Sequence, residues 1–166
     1  NRIAVIGVFH DNPSTISSVT YDGVACTFVR TNTAGDGNYK NELYYIIAPA
    51  TTAKTVTCTF TGNAFGSMAC ATFTGAKQNF QPNAHGGVDS ATATSATATA
   101  STSASVTWLC GFFEANQATA LGVGANTTSR AQNNDATNGY SIMITSSLTG
   151  AFRQPEVRQE FFSLIK

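Results

Sequence analysis

The sequence predicts an all-β chain: a single antiparallel β-sandwich, jelly-roll-like, with about ten strands across one domain of residues 1–166. Three observations carry this. The chain is built from short runs rich in threonine, alanine and valine, such as TVTCTF (55–60), ATATSATATA (91–100) and SASVTWLCGFF (103–113). Glycine, asparagine and serine punctuate these runs, as turns between pleated strands require. No stretch sustains the 3.6-residue apolar period of a helix.

In chain order, RIAVIGVF (2–9) is apolar without interruption, so it belongs in the middle of a sheet with both faces covered. Pro13 in HDNPST ends it by fixing φ and removing a donor. Residues 16–30 hold two strand pieces hinged at Asp22-Gly23, a strong two-residue turn signal. On the second piece Val24, Cys26 and Phe28 share one face, expected to point into the core. A polar stretch (31–41) leads to the aromatic-rich strand ELYYIIAPA (42–50), which Pro49 stops. KTVTCTFTG (54–62) and SMACATFTG (67–75) end in the same F-T-G triplet and read as two adjacent strands that leave the sheet alike. Val24, Phe28, Val56, Phe60 and Phe73 are expected to centre one core. In the alanine–threonine tract, Thr92 and Thr94 fall on one parity and Thr97 and Thr99 on the other. The face therefore switches at Ser95-Ala96, through a bulge or the meeting of two strands. STSA (101–104) reads as the tight turn into the strand that contains Trp108. Segments 120–123, 140–145 and 161–165 complete the set.

Composition limits chemistry. Nine basic and nine acidic residues make up 11% of the chain, against about 25% in ordinary soluble domains, and the net charge is zero. Scattered charges of both signs give no field to draw DNA, RNA or an anionic membrane, so no nucleic-acid or membrane partner is expected. No apolar run approaches the roughly 20 residues of a spanning helix. The chain opens at Asn1 and already reads as strand at its second residue, as in a processed or trimmed chain, with an upstream leader left open. Few lysines and abundant Thr, Asn, Ser and Gly lean toward an extracellular setting or an assembled particle.

Cys26, Cys58, Cys70 and Cys110 form no C-x-x-C pair, and only His10 and His85 supply imidazole, which argues against structural zinc. Cys58 and Cys70 flank a hairpin expected to turn near residues 62–66. Alternation sends Cys58 with Val56 and Phe60, whereas Ala71 and Phe73 send Cys70 the other way. Buried free thiols are the preferred reading and a disulfide the alternative.

Candidate sites weigh less than their plain readings. His10-Asp11 could be a base and its orienter, yet neighbours on a strand point to opposite sides, and a solvated loop pair is expected. His85 lies in PNAHGGVDS near Asp89 without a nucleophile elbow. Asp36, Asn38, Asn41 and Glu42 in GDGNYKNE offer oxygen ligands, but Lys40 stands where a calcium loop wants oxygen, so a hairpin loop is expected. Carboxylates for glycoside hydrolysis would have to come from the scattered Asp22, Asp36, Glu42, Asp89, Glu114, Asp135, Glu156 and Glu160. Tyr39, Tyr44, Tyr45, Phe65, Phe80 and Trp108 could stack sugars, although Trp108 reads as core. Asn126-Thr127-Thr128 is a glycosylation sequon by pattern. The parity break at Ser95-Ala96 spoils the threonine row an ice-binding plane would need. No catalytic, cofactor or metal residue is therefore assigned.

The order of motifs resembles a β-sandwich module of phage structural proteins and large bacterial surface proteins. That module reads N-R-apolar strand, v-S-S-V-T-Y-x-G-v-x-x-T, L-W-Y-l-x-x-P, T-V-T-x-T-F-S-G, A-x-x-F-S-G-v-x-Q and a closing apolar strand ending in Lys. The counterparts here are Asn1-Arg2 and residues 16–27, 43–49, 55–62, 71–78 and 161–166, in the same order over nearly the whole chain. Tyr44 stands where tryptophan is common, cysteines occupy aliphatic positions, and a charged insertion, RQPEVRQE (153–160), precedes the last strand. The resemblance implies a non-catalytic building block with no shared catalytic residue. The expectation is a self-assembling structural protein of a virion, such as a capsid decoration, fibre or tail component, at the virion surface or in another extracellular place. Its partners would be itself or neighbouring structural proteins. The alternatives are an extracellular module of a bacterial surface protein or filament that binds carbohydrate, and, third, a glycosidase-like enzyme.

Overall fold

The computed structural model describes residues 1–34, 36–78, 84–88, 100, 107–115, 120–137, 139–147 and 158–165. It is all-β, with twelve strands and no helix among the described residues. The strands are β1 (Arg2–Asp11), β2 (Ile16–Tyr21), β3 (Val24–Ala25), β4 (Thr27–Thr33), β5 (Tyr39–Ile47) and β6 (Val56–Phe60). They continue with β7 (Gly66–Thr74), β8 (Ala84–Val88), β9 (Thr107–Ala115), β10 (Thr128–Asp135), β11 (Tyr140–Ser147) and β12 (Arg158–Ile165).

Three sheets result. Sheet A has the order β4-β5-β1-β7, sheet B β3-β2-β6, and sheet C β10-β11-β9-β12-β8, and every recorded pairing is antiparallel. The uninterrupted apolar run of β1 lies between β5 and β7, as its sequence predicts, and residues 3–6 and 8–10 of it are buried. Its two faces feed two different cores. Ile3, Val5 and Phe9 join Phe112, Cys110, Ile142 and Ile144 of sheet C, whereas Ala4, Ile6 and Val8 join Val19 and Tyr21 of sheet B. Between them Gly7 leaves room for sheet C: a Cβ there would lie 2.2 Å from the Phe112 ring. On the far face of sheet C, Leu109, Phe113, Ala115 and Met143 pack with Leu121.

Some local signals held, but the piece on which Val24, Cys26 and Phe28 were to share a core face divides into β3 of sheet B and β4 of sheet A, with Cys26 between them. Asp22 (φ 52°) and Gly23 (φ 77°) form the left-handed two-residue link between β2 and β3, with Tyr21 paired to Val24. The alternations read for β6 and β7 are also present: Val56, Cys58 and Phe60 share a face, as do Ala69, Ala71 and Phe73.

Assignments between strands need correcting. The strands that end in F-T-G are not adjacent, and Cys58 and Cys70 do not flank a hairpin: β6 pairs with β2 in sheet B, and β7 with β1 in sheet A. The shared triplet marks only a shared local exit, with Gly62 and Gly75 both at positive φ. Nor do the five expected residues centre one core. Phe73 lies between sheets A and C, and Val56 and Phe60 lie half-buried between A and B. Val24 and Phe28 are 59% and 51% exposed. Val24 lies on the two-residue edge strand of sheet B and Phe28 on the edge strand β4 of sheet A, where each has a neighbouring strand on one side only. Residues 120–123 form no strand; only Leu121 of that stretch is buried, as a plug on sheet C. The face switch at Ser95-Ala96, the turn at 101–104 and the Trp108 side chain lie outside what is described, as does most of the 153–160 insertion.

Candidate functional site

Alternation along β1 puts His10 on the same face as Ala4, Ile6 and Val8. Glu42 and Tyr44 of β5 lie opposite Val8 and Ile6 in the ladder, so they share that face. Three polar side chains thus enter the layer between sheets A and B, which is otherwise filled by apolar groups and thiols.

His10 is fully buried. Its Nδ1 lies 2.9 Å from the backbone oxygen of Asp11, a group that can only accept, so Nδ1 carries the proton and donates. Its Nε2 faces Glu42 Oε1 at 3.4 Å, an ion-pair separation at the long limit of a hydrogen bond. The Tyr44 hydroxyl donates to Glu42 Oε2. The Phe60 ring covers the imidazole from sheet B, with ring centres 5.6 Å apart. The expected solvated His10-Asp11 loop pair is therefore corrected. A strand buried on both faces takes its histidine inside, and Asp11 turns the other way to clamp the chain. Asp11 Oδ1 accepts from Ser14 Oγ at 2.7 Å and from the Phe65 backbone N–H at 3.0 Å.

Burial, the largest single influence on Glu42, pushes its carboxyl upward. The His10 imidazole at 3.4 Å, the hydrogen bond from Tyr44 and the charge of Lys40 together outweigh it, and the group ends below the ordinary carboxylate range. Tyr44 is raised far above the usual phenol value by burial and then by the Glu42 carboxylate. Burial raises every thiol. Cys58 reaches about 11 with help from Glu42, Cys70 reaches about 11 with help from Cys26, and Cys26 and the fully buried Cys110 also rise. All four are free cysteines. A nucleophilic cysteine needs the opposite shift, so the arrangement holds protons in place rather than offering a thiolate.

Two open grooves flank sheet B. One, about 350 Å³, runs between β6 and β7 and is lined by Val8, Val56, Cys58, Phe60, Gly66 and Met68 among others. The second, about 220 Å³, is lined by Ile16, Ser17, Ser18, Val19, Ala25, Cys26 and Tyr44. Neither is lined by His10 or Glu42.

Among the described residues, the others singled out in the sequence do not converge. Asn41 and Glu42 are neighbours on β5 and point to opposite faces, while Asp36 Oδ1 is turned inward to accept from the Asn38 N–H at 3.0 Å. Among the described residues no three His, Cys, Asp or Glu side chains meet as a metal site. Glu114 is fully buried, and alternation on β9 puts it on the Phe112 face, toward sheet A. It and Glu42 thus lie on opposite sides of sheet A and cannot flank one sugar bond. Asp22 pairs with Lys54 at 2.9 Å, and Asp135 caps the Thr137 N–H at 2.9 Å. His85 is exposed on β8. Tyr39 and Phe65 are packed on Phe9, with centres 5.2 and 6.2 Å apart, rather than laid out as a platform. Asn126 of the sequon is exposed at positive φ. Phe80, Asp89 and Glu156 lie outside the described residues.

Sequence reading missed the cluster of His10, Glu42 and Tyr44. One signal was present: a histidine that continues the buried parity of an apolar strand needs a polar partner. The partner is visible only once β1 and β5 are in register. Comparison with protein-family models, curated proteins and solved structures finds no match.

Proposed function

We propose that this chain is a non-enzymatic structural protein of a virion, a jelly-roll-like β-sandwich domain that works as a capsid decoration, fibre or tail component by protein–protein assembly. One observation carries the reading. Two sheet edges lie close in the chain, β3 and β4, and they hold Val24 and Phe28 out to solvent at 59% and 51% exposure. Edge strands with free pairing groups and exposed aromatic side chains are surfaces that a second copy or a neighbouring subunit covers. The contact of His10 with Glu42 supports the same reading, since the two face each other within the fold and line neither groove.

The test is association. Mass photometry on native material is expected to show higher-order species, and a structure of the assembly to show contacts of more than about 1,000 Å² through the β3–β4 corner. Phe28→Asp should shift the distribution to smaller species while leaving the fold intact, because the side chain is half in solvent already. A strictly monomeric protein at all concentrations, or a Phe28→Asp variant that assembles like the parent, would sink the proposal.

A second reading draws on the same corner. Phe28 stands edge-on to Tyr44, centres 5.5 Å apart, and Tyr44 lines the smaller groove, a setting in which a sugar ring can stack. It makes the chain an extracellular module of a bacterial surface protein that binds carbohydrate. Saturable glycan binding by a monomer, lost in Phe28→Ala, would favour it over the virion role.

A further inference from the structure

The strand edges of this fold are protected unequally. β4 carries Arg30 and a bulge between Phe28 and Arg30, and β10 carries Arg130 and a bulge between Ser129 and Ala131. β3 has only two residues, and on β8 a Cβ at Gly87 would lie 2.7 Å from the Arg30 guanidinium. At β7, Asn133 Nδ2 reaches across from β10 to donate to Ser67 Oγ at 3.2 Å. Charges, bulges, very short length and cover are the ordinary devices that keep an edge from pairing. Among the described residues β6 shows none of them. Its pairing with β2 places the extra residue on β2, and no charged residue or proline occurs from Thr55 to Ala76.

The hydrogen bonds of β6 fix which side of it is open. The Asp22 N–H donates to the Thr55 carbonyl, Ser17 Oγ to the Thr59 carbonyl, and the Thr61 N–H to the Thr15 carbonyl, at 2.9, 3.0 and 2.9 Å. Odd positions therefore turn their backbone groups to β2, and Val56, Cys58 and Phe60 turn theirs the other way. Among the described residues no strand pairs there, because β6 ends sheet B. The side chains alternate between the two faces. Val56, Cys58 and Phe60 line the larger groove with Val8 and Met68, and Thr57 and Thr59 stand exposed.

An open row of backbone groups takes an extended strand. Charge favours a copy of itself. A twofold interface sets one patch against the same patch, so a charged edge repels itself and a neutral one does not. Every residue that lines the groove is uncharged. Size agrees, since residues 56–74, which hold β6, β7 and their crossover, come to about the 20 residues a side of a standard interface. We propose that β6 pairs antiparallel with β6 of a second copy, so that the two sheets B run on as one and the two apolar grooves meet at the joint. Engaging all three outward residues puts the twofold axis at Cys58, with Val56 opposite Phe60 and Thr57 opposite Thr59 of the second copy. The inference rests on the reading that the chain works by assembly, and adds a surface at the opposite edge of sheet B from β3.

Sedimentation equilibrium on the full chain tests it with two charge patterns on the exposed threonines. Thr57→Lys with Thr59→Lys sets lysine against lysine twice across the axis, and dimers should weaken about tenfold. Thr57→Lys with Thr59→Glu sets lysine against glutamate twice, and dimers should match the parent's. If the lysine pair unfolds the chain by circular dichroism, Cys58→Pro replaces it, since it removes an outward N–H and no bond to β2. A lysine pair that dimerises like the parent overturns the proposal, as does a lysine–glutamate pair no stronger than the lysine pair. A parent that is monomeric at every concentration overturns it too, and leaves the edge to a strand of another protein. Phe28→Asp separates this contact from the β3–β4 corner. Dimers that survive it and vanish with the lysine pair support β6 pairing whether or not larger species depend on the corner. Dimers lost in Phe28→Asp and kept with the lysine pair would overturn β6 pairing and leave the assembly reading intact.

Discussion

Gly7 is the residue on which the contact between sheets A and C turns. It interrupts an otherwise bulky strand, and the Phe112 ring occupies the space its side chain would need. Gly7→Ala must push an aromatic ring that is itself fully buried, and overpacking of this kind costs about 1–3 kcal/mol. Chemical denaturation should show that loss; an unchanged midpoint would mean that the two sheets slide apart freely. His10 is the complementary case, a residue whose surroundings change its meaning. Beside Asp11 in the sequence it looks like half of a solvated pair, yet the strand that carries it is buried on both faces. Its partner, Glu42, belongs to a segment read as a polar loop entering a strand.

At the scale of elements, alternation told which residues share a face but not which sheet that face meets. The parities of β6 and β7 were readable, and both Phe60 and Phe73 do point inward. They point into different layers, because β6 leaves sheet A for sheet B while β7 returns to pair with β1. The layers differ in depth, which sets a measurable order. Phe9→Ala, in the fully buried layer, is expected to cost about 3–5 kcal/mol. Phe60 is half-buried, and Phe60→Ala should cost roughly half as much. Equal losses in a urea titration would contradict the difference in packing between the two layers.

Across the whole molecule, sheet A is the element the other two depend on: sheet B rests on one face of β1 and sheet C on the other. Native-state hydrogen exchange should therefore find the slowest amides in β1, β9 and β11, and distinctly faster ones in β2 and β6. Uniform protection across all three sheets would rule out separable layers.

Much of this was written locally. The all-β class, the central place of the 2–9 run and the Asp22-Gly23 turn come from interactions within a few residues, from steric limits on φ and from the two-residue period of a pleated strand. Residues 120–123 show the limit of such cues, since an apolar stretch bounded by turn residues became a plug with only Leu121 buried. The number of sheets, the separation of the two F-T-G strands, the exposure of Val24 and Phe28 and the meeting of His10 with Glu42 were decided by the tertiary structure. Each depends on which distant strand pairs with which and on how far one sheet extends over another. Those outcomes follow from competition among many apolar faces for cover, and a period of two is the same whichever partner wins.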